Sequence, residues 1–112
     1  MIDAAPFEIA SELNAETARL SLLGELDLAS APQLERSVGE ALAQGAAEIL
    51  IDLSRLSFID SSGLRLFILL NDRAGADGWT LALTRPPEPS RAVFQITGAE
   101  ENLPFIEEAP SA

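Results

Sequence analysis

The run Phe58-Ile59-Asp60-Ser61-Ser62-Gly63-Leu64 places a carboxylate, two hydroxyls and a glycine directly ahead of a strongly apolar stretch. A serine hydroxyl in such a place has two uses. It can cap the helix that follows, or it can stand at the surface as the acceptor of a phosphoryl group. A phosphate there would meet the unpaired N–H groups and the positive dipole end of the helix start. Asp-Ser-Ser-Gly is equally what an ordinary capped helix looks like, and on spacing alone that is the more common meaning. A second segment, Gly24-Glu25-Leu26-Asp27, sets two carboxylates behind a glycine that can turn tightly. By itself it reads as a polar turn feeding a helix cap at Ser30. If the two segments lie side by side, Asp27 and Asp60 flank Ser61. Such carboxylates can accept a hydrogen bond from a hydroxyl, but they repel a phosphate.

The residues that are missing narrow the chemistry further. The 112-residue chain has no His, Lys, Tyr or Cys, and all seven of its cations are Arg. Nucleophilic catalysis near neutral pH calls for a base such as His or a depressed Lys. A Ser-His-Asp triad, a Ser-Lys dyad, a Schiff base and a P-loop lysine are therefore excluded. So are disulfides and thiolate metal sites. Zinc prefers nitrogen or sulfur donors, which leaves only carboxylate or magnesium-assisted chemistry through Asp27, Asp52 or Asp60. The chain is thus not expected to be an enzyme or to hold a cofactor or metal. Its net charge of −11 argues against nucleic acid and anionic lipid as partners. That acidity serves solubility first and leaves open a protein partner with a basic face. No basic start followed by an apolar run opens the sequence, and the longest apolar segment, Leu64 to Leu70, is interrupted by Arg65. It is too short to insert in a membrane, so a cytoplasmic protein is expected.

The elements that must position these segments follow from periodicity. Phe7 and Ile9 alternate with Glu8, a turn falls near Asn14, and Ala18, Leu20 and Leu22 alternate with Arg19 and Ser21. This predicts an N-terminal antiparallel pair. Ser30-Ala31-Pro32-Gln33 reads as a helix start, with Ser30 as cap and Gln33 closing a capping box. Leu34, Val38 and Leu42 form its apolar stripe, and Gly45 ends it. Ile49-Leu50-Ile51 with Leu53 predicts a central strand covered on both faces, followed by a loop holding Arg55. A second helix is predicted from about Ser61 to Ala74, with Leu64, Phe67, Ile68 and Leu70 all buried. A strand bearing Trp79, Leu81 and Leu83 comes next. After the Pro86–Pro89 break, a helix with Val93 and Phe94 runs to Gly98. Leu103 to Ile106 would be a short edge strand. The order is β-β-α-β-α-β-α-β, which indicates an α/β domain with a mixed, mostly parallel sheet of four to five strands and about three to four helices. It occupies residues 1–112, with an ordered core of about 6–106 and loose ends that include Glu107 to Ala112.

Taken together, Gly24-Glu25-Leu26-Asp27, Ser30-Ala31-Pro32-Gln33-Leu34, Phe58-Ile59-Asp60-Ser61-Ser62-Gly63-Leu64 and Val93-Phe94-Gln95-Ile96-Thr97-Gly98 resemble the STAS-domain anti-sigma factor antagonists. The resemblance runs through nearly the whole chain, in order. It implies a single STAS domain that, unphosphorylated, binds an anti-sigma factor and so frees the sigma factor. That partner is a serine kinase with a histidine-kinase-like ATPase fold. It also implies phosphorylation by the kinase at Ser61, which abolishes binding, and a phosphoserine phosphatase that restores it. Asp27, Glu25, Asp60, Ser62, Gly63, Leu64 and Arg65 would make up the partner surface. Arg65 departs from the family pattern, standing where many members carry a small residue. The same domain type also serves as a stress-signalling scaffold or as an accessory subunit of membrane transporters.

Overall fold

The computed structural model describes residues 7–107. The loose ends expected at the first few residues and from Glu108 to Ala112 lie outside the described residues. Strand β1 (Glu8–Asn14) and strand β2 (Thr17–Leu26) pair antiparallel across a two-residue turn, where Ala15 takes φ 54°. Helix α1 (Ala31–Ala43) leads to the long strand β3 (Glu48–Ile59), and helix α2 (Ser61–Asp77) to strand β4 (Thr80–Thr84). Helix α3 (Ser90–Ile96), a short helix α4 (Ala99–Asn102) and a two-residue strand β5 (Phe105–Ile106) complete the chain. The sheet order is β1-β2-β3-β4-β5, with β2 to β5 mutually parallel. The predicted architecture is therefore the observed one. The helix order gains α4, which begins where Gly98 turns the chain at φ 78°.

One sheet face carries the core. Ala18, Leu20 and Leu22 of β2, Ile49, Ile51 and Leu53 of β3, and Leu81 and Leu83 of β4 cluster with buried residues of all four helices. Leu34 and Val38 of α1 and Phe67 and Leu70 of α2 supply the facing side chains at helical spacing. Phe94 of α3 joins α2 to the sheet edge. Its ring lies 6.1 Å from Phe67 and meets Phe105 edge-on at 5.3 Å. On the opposite face Arg19 bonds Asp52 at 2.6 Å, and Thr84 donates to the same carboxylate at 3.1 Å. The Thr84 hydroxyl in turn accepts from the Leu53 N–H at 2.8 Å.

Several local expectations change. β3 does not stop at Leu53 but continues to Ile59, and Arg55 sits on it opposite Leu23 rather than in a loop. Register shifts in the β2–β3 pairing absorb the break in alternation that hid this extension. Ser30 makes no side-chain cap and no box with Gln33. Its hydroxyl instead donates to the Glu25 carbonyl at 2.8 Å and accepts from the Asp27 N–H at 2.9 Å. Ile68 is not buried but 46 % exposed, because it falls on the solvent side of α2. Ala82 and Thr84 are buried along with Leu81 and Leu83, so β4 is covered on both faces. Glu107, expected in the loose tail, pairs with Arg85 at 3.1 Å.

Candidate functional site

The ends of β2 and β3 meet edge to edge. Leu26 pairs with Ile59, and the Asp60 N–H donates to the Leu26 carbonyl at 3.1 Å. Glu25 at the end of β2 and Asp27 just beyond it therefore lie on the strand end beside the start of α2, as the side-by-side reading requires. Parallel strands place such neighbouring loops together at the carboxyl ends of a sheet, where α/β folds build their sites.

Asp60, not a serine, is the cap of α2. Its backbone is extended, at φ −109° and ψ −174°, and its Oδ1 accepts from the N–H groups of Ser62 at 2.8 Å and Gly63 at 3.1 Å. The first helical hydrogen bond, from the Leu64 N–H to the Asp60 carbonyl at 3.1 Å, follows from the same turn. This division of labour frees Ser61. It occupies the first helical position, is exposed, and its hydroxyl makes no hydrogen bond among the described residues.

Gly63 is buried against the neighbouring strand end. A Cβ at that position would stand 2.8 Å from Ile59 Cγ1, 2.9 Å from Leu26 Cγ and 2.9 Å from the Leu26 carbonyl oxygen. Glycine is thus what lets α2 start this close to β2. Leu64 also points inward and belongs to the core, so the outward face of the helix start consists of Ser61, Ser62 and Arg65.

Asp27 is half-buried, and its Oδ1 turns into its own loop. It accepts from the N–H groups of Ala29 and Ser30, both at 3.0 Å. Asp27 thereby shapes the approach to α1, and no hydrogen bond joins it to Ser61. Glu25 is exposed at the end of β2, paired in register with Phe58.

Between α1 and α2 runs an open groove of about 300 Å³, lined by Leu28, Ala31, Pro32, Glu35, Ser62, Arg65, Leu66 and Leu69. Its mouth adjoins Ser61 through Ser62. Leu28 is 75 % exposed, the most prominent apolar side chain in this region, and the sequence reading passed over it. Its signal was present: a leucine inside an otherwise polar turn, with no strand or helix to bury it.

Among the described residues no group of acidic side chains is placed to hold a cation. Asp52, the carboxylate considered for magnesium, is engaged by Arg19, Thr84 and the Ser54 N–H at 2.9 Å. Burial raises its pKa. Hydrogen bonds from the Ser54 backbone and side chain, Arg19 and Thr84 outweigh that and hold it at about 2. It is a bracing residue. No helix among the described residues is long and apolar enough to cross a membrane.

An antiparallel hairpin continued by parallel strands, with a serine that makes no hydrogen bond among the described residues at an aspartate-capped helix start, defines an α/β domain. Residues 9–107 match the family model described as "Mlab, STAS domain". The anti-sigma-B factor antagonist of Bacillus subtilis is 31 % identical over 88 residues, 79 % of this chain and 80 % of that one. RsfB of Mycobacterium tuberculosis, an anti-sigma-F factor antagonist, is 38 % identical over 56 residues, half of this chain and 46 % of that protein. In that match the chain spans about half the length of the relative. The unphosphorylated form of the Bacillus antagonist SpoIIAA superposes with a TM-score of 0.73 at 28 % identity, covering 93 % of this chain and 89 % of that one. Its phosphorylated form superposes with a TM-score of 0.68, covering 93 % and 92 %. The chain belongs to the STAS-domain family of anti-sigma factor antagonists.

Proposed function

We propose that this chain is a partner-switching protein that captures an anti-sigma factor in its unphosphorylated state and lets go when Ser61 is phosphorylated. The partner in this reading is a serine kinase with a histidine-kinase-like ATPase fold, which supplies ATP, magnesium and all of the phosphoryl-transfer machinery. A phosphoserine phosphatase returns the chain to its binding form. The observation that carries the reading is the Ser61 hydroxyl, exposed and without a hydrogen bond among the described residues, one residue after a cap that already serves the helix start.

The physics of release needs no refolding. A phosphoserine adds about −1.5 to −2 charges at neutral pH. Here that charge would enter an interface beside Asp60 and Asp27, in a chain that is strongly acidic overall. Repulsion and desolvation amounting to roughly 3 kcal/mol would weaken binding more than a hundredfold. The relative SpoIIAA has been solved in both phosphorylated and unphosphorylated forms, which supports a two-state reading of the domain.

The test is reconstitution with the cognate kinase. Incubation with ATP and magnesium should place one phosphate on Ser61 by mass spectrometry, and Ser61→Ala should accept none there. The phosphorylated chain should lose kinase binding while Ser61→Ala retains it. Phosphate on another residue, or unchanged binding after phosphorylation, would reject the mechanism.

A second reading, a STAS domain serving a stress-signalling scaffold or a transporter, draws on the matching family model, whose description does not mention sigma-factor control. Affinity capture from the native cell separates the two. An ATPase-fold kinase supports the first reading and a transporter complex the second.

A further inference from the structure

Among the described residues Arg36, Arg55 and Arg65 make no ion pair, and of these only Arg65 lies on α2 one turn from Ser61. Arg19 pairs with Asp52, Arg73 with Glu35 at 2.9 Å, Arg85 with Glu100 and Glu107, and Arg91 with Glu100. Arg65 is exposed, has no such partner among the described residues, and lies four residues after Ser61 on α2. Side chains on a helix lean toward its N-terminus, so residues four apart stack on one face. The Arg65 side chain is thus within reach of Ser61 from one turn further along. An anion placed four residues before a cation is also the favourable order on a helix.

The surroundings leave that guanidinium available. The residues three and four positions further along α2 are Ile68 and Leu69, which offer it no charge. Glu35, across the groove, already accepts from Arg73. Asp60 and Asp27, the other carboxylates of the region, have Oδ1 committed to backbone N–H groups of their own turns.

We infer that Arg65 is the built-in counter-cation of a phosphorylated Ser61, pairing with the phosphoryl oxygens from one turn further along α2. The inference rests on Ser61 being the phosphoacceptor, and it adds a device to that site. The phosphate is not merely exposed to repulsion from Asp27 and Asp60. It is held in place by a cation that also lines the groove between α1 and α2. Phosphorylation would draw Arg65 toward Ser61 and present a less mobile phosphate that keeps net negative charge at the groove mouth.

The experiment installs phosphoserine at position 61 during translation, so that no kinase is needed, and follows the phosphate by ³¹P NMR across pH. A nearby cation favours the dianion and lowers the second phosphate pKa. That pKa is expected to be roughly half a unit lower in the parent than in Arg65→Gln, about a threefold change in the proton equilibrium. Arg65→Lys should restore part of the shift. Arg91→Gln, on α3 and outside that groove, should leave it at the parent value. Because Arg65 is exposed, these variants keep the fold. A phosphate pKa equal in the parent and in Arg65→Gln overturns the pairing. A kinase that modifies some other residue would defeat the functional reading and leave this titration unaffected.

Discussion

Gly63 at the start of α2 lies so close to Leu26 at the end of β2 that a Cβ would stand 2.9 Å from the Leu26 carbonyl oxygen. That oxygen is not free to move, because it accepts the Asp60 N–H that joins the two strand ends. Gly63→Ala must therefore push α2 away from β2 or bend the backbone, at a cost of about 1–3 kcal/mol. Urea denaturation should show the loss, and affinity for the partner should fall with it because Ser61 and Ser62 shift with the helix start. A variant as stable as the parent would show that the helix start is not held by this contact.

The same turn separates the roles of two adjacent residues. Asp60→Ala removes the acceptor for the Ser62 and Gly63 N–H groups, and should cost about 1 kcal/mol, as lost caps do. Asp60→Asn keeps an oxygen for those bonds and should lose far less. Ser61→Ala, at an exposed position with no hydrogen bond among the described residues, should change stability by no more than about 0.5 kcal/mol. Thermal melts of the three variants check the ranking. A large loss for Ser61→Ala would mean that its hydroxyl is the structural cap after all.

The fold was legible because its signals repeat. Leu34 and Val38 at helical spacing, and Ala18, Leu20 and Leu22 at strand spacing, each state a period and a buried face, and both faces meet in one core. What escaped was local. The extension of β3 through Arg55 to Ile59 was hidden because register shifts with β2 break the alternation. Capping was misassigned at Ser30, whose hydroxyl is engaged by the Glu25 carbonyl and the Asp27 N–H. At Ser61, where a cap was one of two readings, the preceding Asp60 took the Ser62 and Gly63 N–H groups. A carboxylate accepts from two N–H groups at once and outcompetes a hydroxyl there. The candidate site was legible only in part. Asp60, Ser61 and Ser62 stand where their order implied, whereas Leu64 went to the core and Leu28 came to the surface through a turn whose path no pattern states.

Acid should reveal the brace on the far face of the sheet. Asp52 titrates at about 2 in the folded chain against 3.8 for an ordinary Asp carboxyl. Because the folded value is the lower one, the ionised group stabilises the fold fully above about pH 4, and that contribution is lost as pH falls toward 2. Asp52→Asn should be less stable than the parent at pH 7 by about 1 kcal/mol, the full shift being discounted for solvent screening. The gap between the two should then close on acidification over that window. Denaturation midpoints measured from pH 7 down to pH 2 test it. Parallel pH profiles for the two proteins would mean that Asp52 gains nothing from Arg19, Ser54 and Thr84.

Leu28 provides the sharpest separation of recognition from stability. Its side chain is 75 % exposed beside the groove that Ser62 and Arg65 also line, so the fold gains little from it. An apolar side chain held in water by a turn gains its energy only when a partner covers it. Leu28→Ser should leave the denaturation midpoint unchanged and weaken kinase binding by about 1–2 kcal/mol, a factor of roughly 5–30 in Kd. Ile96, on α3, is 84 % exposed and does not line that groove, so Ile96→Ser serves as the matched control. Calorimetric titration of the unphosphorylated chain with the kinase distinguishes the two. Equal affinities for both variants and the parent would move the docking surface away from the groove between α1 and α2. A loss only in Ile96→Ser would place it on the α3 side instead.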